Sequence, residues 1–477
     1  VPEVWKRMKL ATGDWLVVLA YVLAILVVGF GIAPRWRGEH RGEAEEYLLA
    51  GRQLTLPLFV ATLVASWYGA ILGVGEFVYR YGIVAWLCIG VPYYLVAAAF
   101  AIVLAGRIRS SQTLTIPQQM RLFYGESAGR VAALLVLLIT IPSAYLLMLA
   151  TLVRALTGWS LEIAIVVGAV LSVAYLYTGG FKADVLTNAV QFLLMYAGFF
   201  VLAWFSVQHL GDPVQMWKTL PQTHRSVPGA LGWMAVVVWF VIAMQTFVDP
   251  SFYQRCAAAR SVRTARMGIA VSVLFWLLFD TLSITTALYA RAFIQTEPLG
   301  AYPALAEVVL PEGWKGLFVV ALFATVMSTL ESYAFLSAAT IGHDLLGYFP
   351  RLAGRYSVRQ LTRLGLILAV SVAGLMAWVL PSVVELIMRT ASVAVPALLF
   401  PFLFGYAVHR RLPARRVGLL MAVTAASSAL WMGIRMTQSA LGIVQAIEPA
   451  FVGIVVGMCI SLLWSKPRYA AAGMDSL

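Results

Sequence analysis

The chain has 477 residues, of which 61% are hydrophobic and only 12% are charged, whereas a soluble globular domain carries about 25% charged residues. This composition excludes an ordinary soluble protein and favours a protein embedded in a lipid bilayer. The formal net charge of +13 would also suit nucleic-acid binding, but the basic residues are spread over short loops between apolar segments. We therefore expect a bilayer as the partner and no nucleic acid.

Apolar segments long enough to cross a bilayer repeat along the chain, since roughly 20 apolar residues in a helix span the hydrocarbon core. We predict thirteen spans, at residues 13–34, 55–80, 82–106, 131–157, 160–179, 184–208, 231–249, 266–293, 314–342, 361–380, 382–407, 416–436 and 447–464. They predict an all-α integral membrane protein whose single transmembrane domain covers residues 1–477.

The distribution of basic residues predicts the orientation of the chain, because Lys and Arg are enriched on the cytoplasmic side. Apart from Arg363 and Arg389, the basic residues can be assigned to loops and termini. The loops that follow odd-numbered spans carry about twice as many Lys and Arg residues as the N-terminus and the loops after even-numbered spans together. We expect the N-terminus outside and the C-terminus inside, although Lys6, Arg7 and Lys9 argue locally for the reverse.

Two spans carry residues that interrupt helices. Span 2 contains Gly69, Gly73 and Gly75, and span 7 ends in Asp249-Pro250, where the proline stops or kinks a helix. Interrupted segments at matching positions of two halves indicate the binding site of a transporter. Spans 2 and 7 are five apart, which fits an inverted repeat of spans 2–6 and 7–11. Close helix packing is the alternative role of the glycines.

Under this prediction the repeated core covers residues 55–407, and spans 1, 12 and 13 are peripheral. Span 9 holds a polar group inside an apolar helix, formed by Thr325, Ser328, Thr329, Glu331 and Ser332. An ionisable residue at membrane depth costs about 2.5–3.5 kcal/mol on insertion scales. We therefore expect an ion or solute to pass nearby. The alternative is that the hydroxyls bond to carbonyls of the preceding turn.

Five short sequence blocks between residues 45 and 345 are informative in their order, although each alone is weak. They are Glu46–Arg52 (EYLLAGR), Thr113–Pro117 with Phe123–Gly125, Thr178–Ala183 with Thr187, Asn188 and Gln191, Gln254-Arg255, and Met327–Ser332 (MSTLES) followed by Asp344. Together they resemble the sodium:solute symporter family, which includes sodium-coupled carriers of proline, pantothenate, sugars and sialic acid. The resemblance implies a LeuT-type inverted-repeat transporter with thirteen helices and its N-terminus outside.

The resemblance also implies a sodium site built from main-chain carbonyls and hydroxyls. Span 9 would contribute the Thr325 carbonyl and the side chains of Ser328 and Thr329, and span 2 the carbonyls of Ala65 and Tyr68. Unwound helix carbonyls hold the coupling ion in such transporters. We expect sodium as the coupling ion and no other cofactor or metal. The three Cys and five His residues are too scattered for a metal centre.

Three further polar residues are coupling or gating candidates. Asn188 stands where the family usually has Asp, and Asp184 lies one turn earlier on the same helix face. Asp184 either compensates for that difference or lies at the membrane interface near Lys182. Glu331 either tunes the ion site, takes up a proton or makes an internal hydrogen bond.

A substrate cavity is expected between spans 2, 3, 7 and 11. The candidate contacts are aromatic and polar, namely Trp67, Tyr93, Trp239, Gln245, Phe247 and Arg389. The fork of Arg389 would suit a substrate carboxylate, and an ion pair with Glu385 four residues earlier is the alternative. Asp280 lies in the middle of span 8 and has no assigned role.

These patterns predict a secondary active symporter that moves sodium inward together with a small organic solute, with an amino acid or small carboxylate favoured. The sequence contains no GxxxxGK[ST] motif for ATP. A proton-coupled carrier of the same fold is the first alternative. A membrane enzyme and a sensory input module are less favoured, since the histidines form no catalytic constellation. We expect a multi-pass location in a cell membrane, with the bacterial inner membrane favoured.

Overall fold

The computed structural model describes residues 9–35, 42–380, 382–407, 410–437 and 447–467. Its helices are α1 (Thr12–Leu26), α2 (Glu43–Leu49), α3 (Leu56–Ala65), α4 (Ile71–Tyr81), α5 (Val91–Phe100), α6 (Gly106–Ser111), α7 (Ile116–Tyr124), α8 (Glu126–Thr140), α9 (Ser143–Thr157), α10 (Leu161–Val173), α11 (Leu176–Gly179), α12 (Phe181–Leu210), α13 (Pro213–Thr219), α14 (Gln222–Arg225), α15 (Trp233–Ile242), α16 (Pro250–Ala258), α17 (Val262–Phe293), α18 (Ala301–Val309), α19 (Trp314–Ala339), α20 (Pro350–Ala353), α21 (Val358–Val379), α22 (Val383–Tyr406), α23 (Ala414–Thr437) and α24 (Pro449–Trp464).

Shorter elements continue or join these helices. Single π-helical turns lie at Val27–Ile32, Trp86–Gly90, Ala101–Ala105 and Thr340–Leu345, and 3-10 turns at Ala33–Arg35, Ala50–Arg52, Ala243–Val248, Pro298–Gly300 and Leu346–Tyr348. Two short strands, β1 (Arg410–Arg411) and β2 (Lys466–Pro467), pair antiparallel with Arg410 opposite Pro467.

Within the described residues, eleven helical segments are long and apolar enough to cross a membrane. They are Thr12–Arg35, Trp86–Ser111, Glu126–Thr157, Leu161–Gly179, Phe181–Leu210, Trp233–Ala258, Val262–Phe293, Trp314–Tyr348, Val358–Val379, Arg389–Tyr406 and Ala414–Thr437. The regions of spans 2 and 13 contain only shorter apolar helices, Leu56–Ala65 and Pro449–Trp464. The prediction of an all-helical membrane protein is confirmed, whereas the count of thirteen spans and the orientation stay predictions.

Both predicted interruptions are present, but the span does not end at the second one. In span 2, α3 ends at Ala65 and α4 begins at Ile71. In span 7, α15 passes into a 3-10 turn and α16 then begins at Pro250 and continues to Ala258. The predicted end of span 7 at Asp249-Pro250 was therefore wrong. Proline suits the first turn of a helix, and the Asp249 carboxylate caps α16 by accepting the backbone N–H groups of Ser251 (2.7 Å) and Phe252 (3.3 Å).

The interior of the protein is organised around two long helices. α12 packs along α19, α3 packs against α12 and α17, and α1 packs against α19. α19 is buried along most of its length. Asp14 joins α1 to the start of α19, since its carboxylate accepts the N–H groups of Gly313 (2.8 Å) and Gly316 (2.7 Å). The polar group predicted in span 9 therefore lies in the protein interior and does not face lipid.

The block Glu46–Arg52 ends in a buried arginine that joins three parts of the chain. The Arg52 guanidinium donates to Glu45 Oε1 (2.8 Å), to the carbonyl of Gln112 (2.7 Å) and to the carbonyl of Ala257 (3.0 Å). Its side chain is fully buried, so each of these bonds replaces lost hydration. The connection that leads into α3 is thereby fixed to the ends of α6 and α16.

Candidate functional site

The interruption of span 2 lies directly against the hydroxyl pair of α19. The Ser328 hydroxyl lies 2.8 Å from the carbonyl oxygen of Ala65 and 3.0 Å from that of Thr325. The Thr329 hydroxyl lies 3.4 Å from the Thr325 carbonyl. The oxygens of Ala65, Thr325 and Ser328 therefore lie together, and the Thr329 hydroxyl contacts one of them, the Thr325 carbonyl. Bonding to the preceding turn, the alternative role of these hydroxyls, is also present.

The end of α3 explains why the Ala65 carbonyl faces a neighbouring helix. A carbonyl in a continuous helix accepts the N–H four residues later, but the chain leaves the helix after Ala65. Tyr68, the fifth predicted ligand, also lies in the interruption, and its carbonyl accepts the N–H of Ile71 at 3.0 Å. Its side chain points elsewhere and donates to Asp280 Oδ1 at 2.9 Å.

A glycine allows the interruption to approach α19 so closely. A Cβ atom at Gly69 would lie 2.6 Å from Thr329 Cβ and 2.6 Å from Tyr145 Cδ1, and real Cβ atoms do not make such contacts. Gly73, one turn further along the same span, has no atom within 4 Å of the corresponding position. The close packing expected as an alternative role of the glycines therefore applies to Gly69 and not to Gly73.

Replacing Gly69 with alanine should weaken sodium binding, because the added methyl group separates the Ala65 carbonyl from the hydroxyls of α19. Overpacking of this kind costs about 1–3 kcal/mol, so we expect the half-saturating sodium concentration to rise about tenfold, since 1.4 kcal/mol is a tenfold change. The half-saturating concentration is measured from the thermal unfolding midpoint as the sodium concentration is varied. Gly73→Ala is the matched control, and equal sodium dependence of the two variants would contradict the prediction.

A second polar layer lies beside the hydroxyl pair and contains a buried ion pair. Arg255 Nη2 lies 3.0 Å from Asp184 Oδ2, and both side chains are completely buried. The same nitrogen donates to Ser332 Oγ (2.7 Å) and Thr62 Oγ1 (3.1 Å). Asp184 Oδ1 also accepts hydrogen bonds from Ser332 (2.7 Å) and Asn188 (3.2 Å). One network thus joins α3, α12, α16 and α19.

This network bears on the two alternatives for Asp184. The residue is fully buried and contacts Asn188, as expected if it compensates for the missing family carboxylate. The Lys182 ammonium contacts the Glu46 carboxylate. Sequence reasoning missed Arg255 as the partner of Asp184, because the two residues are far apart in the chain. The available signal was a strongly basic residue inside the apolar continuation of span 7.

Glu331 points from α19 to α12 and makes internal hydrogen bonds. Its carboxylate oxygens lie 2.9 Å from Thr187 Oγ1 and 3.0 Å from Gln191 Nε2. Gln191 Nε2 also donates to the Tyr21 hydroxyl at 3.2 Å, and that hydroxyl contacts Met327 Sδ at 3.5 Å. Of the three roles considered for Glu331, the internal hydrogen bond is the one seen directly.

Some of the predicted substrate contacts form one aromatic cluster at the interruptions. The ring of Trp67 lies 5.4 Å from the rings of Tyr93, Phe252 and Trp276. Gln245 donates to the Tyr93 hydroxyl at 3.0 Å. Trp67, Tyr93 and Gln245 are therefore brought together, whereas Phe252 and Trp276 were not predicted.

The remaining predicted contacts are placed differently. Trp239 packs on Phe77, with ring centroids 5.4 Å apart, against a separate apolar cluster that contains Val84. Phe247 is half-buried against the main core. Arg389 is half-buried on α22, and the side chain of Glu385, its expected ion-pair partner, lies outside the described residues. At the end of span 2, Arg80 and Glu76 form an ion pair at 2.9 Å near the surface.

Curated proteins similar to this chain include several sodium-coupled carriers. The chain is 24% identical to the sodium/glucose cotransporter 4 of Danio rerio over 417 residues, which cover 76% of this chain and 62% of that protein. It is 25% identical to the sodium/proline symporter of Haemophilus influenzae over 370 residues, which cover 70% of this chain and 71% of that protein. The chain thus spans about 62% of the length of the sodium/glucose cotransporters it matches.

Solved structures with the same architecture are also transporters. A sodium-coupled sialic acid symporter in a substrate-bound, outward-open state superposes with a TM-score of 0.78 at 15% identity, covering 96% of this chain and 100% of that one. A nucleobase-cation-symport-1 family transporter in a closed conformation gives a TM-score of 0.56 at 16% identity, covering 87% of this chain and 92% of that one. These likenesses show a LeuT-type fold.

One family sequence model matches a stretch of this chain that contains the interrupted spans, the aromatic cluster and both polar layers. The sequence model of the "Sodium:solute symporter family" matches residues 47–412, which is more than half of the chain. The expectation drawn from the five sequence blocks is confirmed, and this protein belongs to the sodium:solute symporter family.

Proposed function

We propose that this protein is a secondary active symporter that couples inward sodium movement to the uptake of a small organic solute. The observation that carries this proposal is the meeting of the Ser328 hydroxyl with the Ala65 carbonyl at 2.8 Å. An interrupted helix and a hydroxyl-bearing helix there present oxygen atoms to one point. Sodium is a small hard cation that such oxygen ligands suit.

The proposed sodium ligands are the carbonyls of Ala65, Tyr68 and Thr325 and the hydroxyls of Ser328 and Thr329. All five are neutral oxygens, and unwound carbonyls bind the coupling ion in transporters with interrupted helices. The Asp184–Arg255 pair next to this site has offsetting charges. With neutral ligands and this pair beside them, the occupied site would carry the net positive charge of the bound sodium ion.

The proposed solute site lies around Trp67, Tyr93 and Gln245, where the two interrupted spans meet. An amino acid or small carboxylate is the favoured solute class, and the thirteen-span topology with an external N-terminus is proposed with it. A membrane potential of about 100 mV supplies about 2.3 kcal/mol per sodium ion. That free energy supports a solute gradient of about fiftyfold, so the proposed cycle needs no ATP.

Thermal unfolding of the purified protein tests the proposal. The midpoint is measured in sodium chloride and in potassium chloride of equal ionic strength, at several pH values, with and without solutes. A ligand that binds only the folded state raises the midpoint by mass action. We expect a sodium-specific rise that one class of solute increases. Equal midpoints in sodium and potassium, with a shift that follows pH, would favour a proton-coupled carrier.

A further inference from the structure

Resting on this proposed function, we propose that Asp280 is the counter-charge for a positively charged nitrogen of the transported solute. The solute would then be an organic ammonium compound, such as an amino acid, and not a sugar or a simple carboxylate. This assigns a specificity-determining residue to the solute site.

Asp280 is a buried carboxyl group in the middle of α17, only 3% exposed. The Tyr68 hydroxyl donates to its Oδ1 at 2.9 Å, and the Tyr94 hydroxyl contacts its Oδ2. In the part of the chain that the structure describes, no Lys, Arg or His lies within 4 Å of its oxygens. A carboxyl group at membrane depth marks a functional site and calls for a partner.

The other buried acids near the proposed sites have different surroundings. Asp184 is paired with Arg255. Asp249 caps α16 and accepts the Tyr333 hydroxyl at 3.0 Å. Glu331 is surrounded by the hydroxyl and amide donors of α12. Asp280 differs because aromatic residues surround it.

Trp276 joins these aromatic residues to the cluster at the proposed solute site, since the Tyr68 hydroxyl also lies 3.2 Å from the Trp276 carbonyl oxygen. Trp276 lies one turn before Asp280 on α17 and contacts Trp67 and Phe252, with ring centroids 5.4 Å and 5.6 Å apart. Tyr68 packs on Phe279 at 4.4 Å. Organic cations are attracted to aromatic faces by about 0.5–2 kcal/mol. A carboxyl group among such rings suits an ammonium group better than it suits an uncharged sugar.

Trp276 adds an unsatisfied donor to this cluster. Its side chain is 2% exposed, and its Nε1–H has no hydrogen-bond partner in the described structure. Buried Trp N–H groups usually find a partner, so a solute acceptor atom would satisfy this one. The carboxyl group and the indole N–H belong to residues one helical turn apart on α17. An amino acid carries an ammonium group for the first and a carboxylate for the second.

Tyr68 connects this position to the proposed ion site. Its hydroxyl bonds to Asp280, while its main chain lies in the interruption that begins after Ala65. Trp67 and Tyr94 are half-buried, so the cluster is not closed on all sides. A solute held at Asp280 would therefore contact the same segment whose carbonyls are proposed to bind sodium.

The test compares wild type, Asp280→Asn and Asp280→Glu in sodium chloride by thermal unfolding. The ammonium-bearing probes are L-proline, L-alanine and glycine betaine, and the matched probes without an ammonium group are D-glucose and L-lactate. We expect at least one ammonium-bearing probe, and neither matched probe, to raise the wild-type midpoint above that in sodium alone. Asp280→Asn should weaken this probe's affinity at least tenfold and keep the sodium-only shift, and Asp280→Glu should retain part of the affinity.

A merely structural hydrogen bond would lower the midpoint of Asp280→Asn without changing probe affinity, and that result overturns the proposal. A shift with D-glucose or L-lactate, or none with any ammonium-bearing probe, overturns it as well. If sodium alone did not raise the unfolding midpoint of wild type, the proposed function would be contradicted instead. If Asp280→Asn does not fold, Trp276→Phe replaces it, with a lower affinity for the probe expected and an unchanged affinity overturning the proposal.

Discussion

Replacing Ser328 or Thr329 with alanine is expected to raise the half-saturating sodium concentration at least tenfold. Each variant removes one of the two hydroxyl ligands proposed for the ion. An interaction between a polar group and a charge contributes about 1.5–3 kcal/mol, and 1.4 kcal/mol corresponds to a tenfold change in affinity. Sodium titrations of solute uptake in proteoliposomes and of the unfolding midpoint measure the effect.

Thr325→Val provides the matched control for both variants. The Thr325 hydroxyl donates to the Ala321 carbonyl of the preceding turn at 2.6 Å, and only its carbonyl is proposed as a ligand. This variant should keep the sodium dependence of wild type, because valine leaves the carbonyl in place. If both alanine variants also kept that dependence, the sodium site would have to lie elsewhere.

Replacing Arg255 with methionine should destabilise the folded protein by about 3–5 kcal/mol, the cost of breaking a buried ion pair from one side. Asp184 would remain in the interior without its guanidinium partner, and Ser332 and Thr62 would lose the donor they share. The free energy of unfolding in detergent measures the loss.

The double variant Arg255→Met with Asp184→Asn separates the ion pair from general packing. Removing both charges should restore at least half of the lost stability, because no unpaired charge then remains in the interior. Arg80→Met is the control, since its pair with Glu76 lies at the surface, where such pairs contribute about 0–1 kcal/mol. A double variant no more stable than Arg255→Met alone would show that the guanidinium acts mainly by packing.

The helices and the interruption of span 2 could be predicted from sequence for a simple reason. Backbone groups in lipid must be satisfied within the chain, so long apolar segments form helices. Gly69 marked the place where one of them unwinds, whereas Gly73 and Gly75 lie within α4. The restart of span 7 was missed because Pro250 was interpreted as an end. The same residue type also starts helices when a capping Asp precedes it.

Contacts between distant segments could not be predicted in the same way. Asp184 and Arg255 belong to different helices, and nothing in either local pattern names the other. Trp239 and Trp67 are both aromatic residues of interrupted spans, yet only Trp67 lies in the central cluster. Which face a helix presents depends on its rotation against its neighbours, and an apolar helix without a polar face leaves that rotation open.

The interruption after Ala65 has a mechanical consequence. The hydroxyls of Ser328 and Thr329 are on a continuous helix that packs along α12, whereas the Ala65 carbonyl is on the last turn of a half-helix followed by five non-helical residues. The oxygens that face each other are thus attached to a stiff support on one side and to a pivot on the other. The affinity for an ion held between them would depend on the angle of that pivot. Binding of the ion and the tilt of the half-helix would therefore be coupled.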